Sequence, residues 1–136
     1  MIVADTSLIA RFVVHNEQSE LAEAVCGQDS VWAAPLLWRS EFRNLLVEYV
    51  QHAGLSAVAA QLAWESAEEL MGGREYGVSS DRVLELAVRS GGTAFDCEYV
   101  ALAQDLGVPL VTTDKQLLKT FPKTAVSLEK FTKKRK

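Results

Sequence analysis

The chain is 136 residues long, 49% hydrophobic and 24% charged, with a formal net charge of −4. That length and apolar content suit one compact domain with a single core and argue against two. The opening stretch MIVADTSLIARFVV is broken by Asp5 and Arg11 and lacks a basic leader and a small-residue cleavage site, so it reads as neither signal peptide nor membrane span. Only two cysteines are present, Cys26 and Cys97, with no CxxC or Cys/His metal spacing. A reduced, cytoplasmic protein is the expectation.

The modest net charge hides an asymmetry. Residues 1–114 carry 6 basic and 17 acidic side chains, a balance of −11, whereas residues 115–136 carry 8 basic side chains and one acid, a balance of +7. The basic segment 115–136 is therefore where a polyanion would touch. Its final KKRK, residues 133–136, also has the plainer reading of a solvated chain end. The whole chain, 1–136, is expected to form one domain.

In chain order, residues 2–5 (IVAD) form a short apolar run that stops at an acid and hydroxyls, as a buried strand does when it opens onto a site. Helices are predicted over 8–14 and 17–26, the second ending at Gly27. A second buried strand is predicted over 31–34, ended by Pro35, whose fixed φ suits the first turn of a helix running to His52. Ser56 caps a helix over 57–71 that closes at Gly72 and Gly73. A brief extended piece over 76–78 precedes a helix from Ser80 or Asp81 to Ser90, broken by Gly91 and Gly92. Thr93 and Asp96 are spaced as a helix cap for 95–106. Residues 108–113 read as a buried strand, 115–120 as a short helix and 125–128 as a last strand. Short buried strands alternating with helices place the chain in the α/β class, with a mainly parallel central sheet flanked by helices.

Four isolated acids sit at the edges of apolar segments: Asp5, Glu41, Asp96 and Asp114. Taken singly, each has an ordinary explanation. Asp5 and Asp114 suit helix caps, Asp96 suits a first-turn acid beside its helix dipole, and Glu41 suits a structural pair with Arg39 or Arg43. Taken together they suggest a carboxylate cluster, because sites in parallel sheets form beyond the carboxyl ends of strands and both Asp5 and Asp114 follow strand-like runs. Carboxylates that converge repel one another by roughly 4 kcal/mol per pair at about 4 Å and an effective dielectric near 20. A divalent cation, Mg²⁺ or Mn²⁺, is the usual remedy. Thr6, Ser7, Thr112 and Thr113 are the hydroxyls placed to orient the acids or hold water. No Ser-His-Asp or Cys-His arrangement and no nucleotide-cradling glycine loop is legible, and His15 and His52 read as surface residues.

The stretches IVADTS, the helix with Glu41 followed by Asn44, FDCEYVALAQDLGVPLVTTD, and the order Asp, Glu, Asp, Asp resemble a PIN domain, in particular the small VapC-type toxins of prokaryotic toxin–antitoxin pairs. The resemblance covers nearly the whole chain and is most specific over residues 95–114. It implies a Rossmann-like PIN fold, a metal-dependent endoribonuclease acting on RNA, a homodimer, and a cognate VapB-type antitoxin whose tail enters the active site. It makes Asp5, Glu41, Asp96 and Asp114 the catalytic quartet, with Thr6, Ser7 and Thr113 in support. Asp5 and Asp96 are expected to hold the metal directly, Asp114 and Glu41 directly or through water.

Hydrolysis of a phosphodiester by a metal-activated water is the chemistry such a site would perform, and it needs no histidine. Basic side chains must then offset the repulsion between an acidic pocket and RNA. Arg39, Arg43, Lys115 and Lys119 are the nearest in sequence to two of the acids. Three alternatives stand beside this reading: a PIN nuclease of RNA processing without an antitoxin, a non-catalytic RNA-binding or dimerisation module, and a cyclising ribonuclease using the two histidines. A haloacid-dehalogenase-like phosphatase is disfavoured because its second aspartate is Ser7 here.

Overall fold

The computed structural model describes residues 1–133, so the last three basic residues of the KKRK end lie outside the described residues. Five short strands form one sheet: β1 (Ile2–Ala4), β2 (Trp32–Pro35), β3 (Glu75–Tyr76), β4 (Leu110–Val111) and β5 (Ala125–Val126). Their spatial order is β3-β2-β1-β4-β5 and every pairing is parallel. Parallel neighbours require crossovers, and the helices that supply them cover the sheet. This is the α/β architecture that the alternating pattern predicts.

The register follows from burial. Ile2, Val3 and Ala4 are fully buried and pair with Trp32 and Ala33 on one side and with Leu110 and Val111 on the other. Because β1 and its neighbours are covered on both faces, their sequences are continuous apolar runs rather than alternating ones. The chain leaves β1 in one direction through β2 and β3, then returns to the other side of β1 for β4 and β5. The order therefore reverses between β1 and β4, and the crevice beyond their carboxyl ends is the topological switch point where open α/β sheets bind ligands.

The helices are α1 (Thr6–Val13), α2 (Ser19–Gln28), α3 (Trp38–His52), α4 (Ala57–Met71), α5 (Ser80–Ser90), α6 (Ala94–Leu106), α7 (Lys115–Thr120) and α8 (Leu128–Lys133). Local chemistry sets their ends. Ser56, Ser79 and Thr93 accept hydrogen bonds from the third backbone N–H beyond them, and Gly72, Gly91 and Gly107 close α4, α5 and α6 in the left-handed conformation. A stacked cluster of Trp38, Phe42 and Trp64 fastens α3 to α4.

Two expectations are corrected. Pro35 is the last residue of β2 rather than the first turn of a helix, and α3 begins only at Trp38. Pro35 lacks an N–H, but the flanking Ala34 and Leu36 donate to the Arg74 and Tyr76 carbonyls, so the ladder to β3 is complete without it. The last strand stops at Val126, and Leu128 opens α8, where the buried Leu128 packs into the core. No helix among the described residues is long and apolar enough to cross a membrane.

Candidate active site

Asp5 follows β1 directly and caps α1, and is only 8% exposed. Its Oδ1 accepts hydrogen bonds from the Ser7 hydroxyl at 2.7 Å and the Leu8 amide at 3.1 Å, while its Oδ2 accepts from the Thr112 hydroxyl. Thr112, fully buried just past β4, accepts in turn from the Asp114 amide at 3.0 Å. One hydroxyl thus joins the acid that follows β1 to the backbone of the acid that follows β4. A second tie across the switch point is the 3.0 Å contact between the Ser7 and Thr113 hydroxyls.

Asp114 caps α7, its Oδ1 accepting from the Gln116 and Leu117 amides at 2.8 and 3.1 Å. Asp96 lies in the first turn of α6, where its amide donates to the Thr93 hydroxyl. Glu41 lies in the first turn of α3 and its Oε1 accepts a hydrogen bond of 2.6 Å from the Tyr99 hydroxyl. The four acids, Thr6, Ser7, Thr113, Tyr99 and Leu117 line one pocket of about 240 Å³. At Asp114 the capping role and the shared pocket coexist, because the cap uses Oδ1 alone, whereas both oxygens of Asp5 already accept hydrogen bonds and face the pocket with their remaining lone pairs. Among the described residues nothing donates to Oε2 of Glu41 or Oδ2 of Asp114.

The pocket stores electrostatic repulsion. Burial raises the pKa of Asp5 above the ordinary carboxylate value; bonds from Thr112, Ser7 and Leu8 pull it back and the charge of Asp114 pushes it further up. Glu41 is raised by burial, then by Asp96, Asp5 and Glu98, with Tyr99 opposing. Asp96 is raised by burial and by Asp114, with the Thr93 hydroxyl opposing. Among the described residues no lysine or arginine lines the pocket to neutralise these charges.

A hard divalent cation fits this donor set. Every lining donor is oxygen, which suits Mg²⁺ or Mn²⁺ and not the sulfur and imidazole sites of zinc. Among the described residues no group of three or more His, Cys, Asp or Glu side chains forms a ready-made cage. Such an open arrangement matches an ion that retains several waters and takes one or two carboxylates directly.

Comparison with known proteins places the chain in a lineage. No family model matches the chain. Ribonuclease VapC3 of Pyrobaculum aerophilum is 33% identical over 130 residues, spanning 89% of this chain and 95% of that protein. The chain belongs to the VapC ribonuclease family. The crystal structure of PAE2754, also from Pyrobaculum aerophilum, matches with a TM-score of 0.77 over 98% of this chain and 94% of that one, at 22% identity. It bears on the fold alone, and that fold is the PIN-like α/β arrangement that the VapC resemblance implies.

Within one pocket the structure brings together Asp5, Glu41, Asp96 and Asp114 with Thr6, Ser7 and Thr113. Lys115 and Lys119 are exposed on α7, the helix whose Leu117 forms part of the wall. Arg39 and Arg43 lie elsewhere. Each is two residues from Glu41, roughly 200° around the helix, and so points away from it. Arg39 pairs with Glu75 and Glu68 and lies over the Trp38 and Trp64 rings; Arg43 lies over Trp64 and donates to the Arg39 carbonyl. Both are absent from the lining of the acid pocket, as are His15 and His52.

Of the side chains that bond the acids, Thr112 is among the hydroxyls the sequence singles out but without its partners, and Tyr99 is not singled out as a partner of Glu41. Thr112 looks like its neighbours there, because its link to both Asp5 and Asp114 depends on strand register. Glu41 has arginines as its nearest candidate partners along the chain, and the structure supplies Tyr99 instead. The three-residue spacing from Asp96 to Tyr99, which puts both on one face of α6, is the available clue.

Proposed function

We propose that this chain is a Mg²⁺-dependent endoribonuclease, with Mn²⁺ as an alternative ion, and that it serves as the toxin of a type II toxin–antitoxin pair restrained by a VapB-type antitoxin. The observation that carries the reading is the meeting of four carboxylates at the switch point, with no lysine or arginine among the described residues of the lining, in a chain of the VapC ribonuclease family. A homodimer, which the family resemblance implies, and a cytoplasmic setting, which the two free cysteines suggest, belong to the same proposal.

Asp5 and Asp96 would hold the ion, and Asp114 and Glu41 would complete its surroundings directly or through water. The chemistry such an ion would supply is a water of lowered pKa and positive charge to offset that of the phosphodiester. The chain's own residues set the geometry. Ser7, Leu8 and Thr112 fix Asp5 through both of its oxygens, and the amides of α7 fix Asp114 through one. The hydroxyls of Thr6 and Thr113 line the remaining wall, where water or phosphate oxygens find donors. Lys115 and Lys119 offset the repulsion between the pocket and the RNA backbone from their exposed positions on α7.

The test is cleavage of a panel of structured and single-stranded RNAs by the purified, partner-free chain with Mg²⁺, with EDTA, and in Asp96→Asn. Cleavage that needs the metal, leaves 5′-phosphate and 3′-hydroxyl ends, and is lost in the variant is the expected result. Cleavage indifferent to EDTA with 2′,3′-cyclic phosphate ends overturns it in favour of a cyclising ribonuclease.

A further inference from the structure

The Glu41 carboxylate receives no hydrogen bond from its own helix. Asp5 and Asp114 receive backbone amide bonds as caps, and Asp96 sits within a capped first turn. Glu41 receives its hydrogen bond from another element, the hydroxyl of Tyr99 on α6 at 2.6 Å from Oε1. A bond of that length from a hydroxyl to a carboxylate belongs to the short, charge-assisted class. Tyr99 itself is 2% exposed, so its ring is immobilised by the core while its hydroxyl reaches the pocket. Asp96 and Tyr99 occupy one face of α6, three residues apart.

We propose that Tyr99 is a positioning residue for the cation: by donating to Oε1 of Glu41 it ties α3 to α6 and fixes that carboxylate in the pocket, with Oε2 left free for the ion or its water. This rests on the metal-nuclease reading above. A glutamate has three side-chain torsions to immobilise, and a bond made to it from within the protein lowers the share of that cost that ion binding would carry. Tyr99 would act on the ion through Glu41, the one side chain to which its hydroxyl donates among the described residues. Partners of this kind typically change metal affinity by about 10–100-fold when removed.

The experiment measures Mn²⁺ and Mg²⁺ binding by calorimetry at fixed pH in the wild-type chain, Tyr99→Phe, Glu41→Gln and the double variant, with thermal melting of each metal-free protein. Phenylalanine keeps the buried ring. The expected result is a cooperative melt for Tyr99→Phe, metal affinity weakened about 10–100-fold, and a much smaller further loss when the change is made in Glu41→Gln, whose amide oxygen still accepts from Tyr99 but no longer presents a charge to the ion. Unchanged affinity in Tyr99→Phe, or an equal loss in the Glu41→Gln background, overturns the inference and leaves the metal site standing. A wild-type chain that binds neither ion overturns both together. Should Tyr99→Phe not fold, NMR of the wild-type chain decides. A slowly exchanging Tyr99 hydroxyl proton that moves on adding Mg²⁺ supports the inference, and an absent or indifferent one overturns it.

Discussion

At the scale of single residues, the site depends on side chains that do two jobs at once. Thr112 has no exposed surface and uses its hydroxyl both as donor to Asp5 and as acceptor from the Asp114 amide. Thr112→Val keeps the shape and removes both bonds, leaving a buried carboxylate oxygen and an amide without their partner. Leaving such a group unsatisfied costs about 1–3 kcal/mol, so urea denaturation should show a loss in that range. Cleavage should fall with it, because Asp5 and Asp114 lose their common reference point. Unchanged stability would mean that water replaces the hydroxyl without penalty. The adjacent Thr113 bonds only to Ser7 among the described residues, and Thr113→Val should cost less in the same assay. The run of threonines is plain in the sequence, but this ranking is not. All three positions from 112 to 114 are polar, and only the pairing of Val3 with Leu110 and Ala4 with Val111 decides that Thr112 meets Asp5.

At the scale of elements, the four acids are legible because strand ends and helix caps are local chemistry, written within a few residues of each acid. The basic rim is less legible, since proximity in sequence on a helix is not proximity in space. Arg39 and Arg43 flank Glu41, yet the 100° step of the helix turns both towards α4. There Glu75 accepts from Arg39 and from the Trp38 indole, and the guanidinium lies 5.5 Å from the centre of the Trp64 ring. The two basic pairs therefore predict opposite phenotypes. Lys115→Ala with Lys119→Ala should weaken RNA binding and flatten its salt dependence by about 1.4 in the logarithmic slope, as expected when two charges that neutralise single-strand phosphates are removed, with metal affinity nearly unchanged. Arg39→Ala should leave that slope alone and instead lower stability by about 1 kcal/mol, the scale of a solvent-screened ion pair with an aromatic neighbour. A salt slope that moved with Arg39 and not with the lysines would reverse the assignment.

At the scale of the molecule, the parallel sheet is readable from continuous apolar runs such as IVA and WAAP, whereas α8 is not. Leu128 looks alike as the end of a strand or the start of a helix, and its packing in the core settles which. The same fold that buries these strands draws the acids together, which links stability to pH and to metal. In the metal-free chain Asp5, Glu41 and Asp96 all have folded-state pKa values above their ordinary ones, chiefly from burial. A raised carboxylate favours folding in its protonated form. Its stabilising share is complete below the unfolded pKa, near 4, and is lost as pH rises through the folded value. The site thus makes the metal-free protein less stable at pH 7.5 than the same chain without the site's charges. Asp96→Asn should raise the metal-free melting temperature at pH 7.5 by a few degrees, and by progressively less as the pH falls, because protons then relieve the wild-type carboxyl of the charge that burial and Asp114 disfavour. A divalent ion reverses the balance. At a concentration about 100-fold above its dissociation constant it should add about 2.7 kcal/mol to the wild-type chain. This gain should shrink towards pH 4, because protons compete for the carboxylates. The measurement is a set of melting curves across pH with Mg²⁺ or EDTA, for the wild type and Asp96→Asn. Equal Mg²⁺ stabilisation in both chains at every pH would mean that the ion binds elsewhere, and that the repulsion among the four acids is relieved by protons alone.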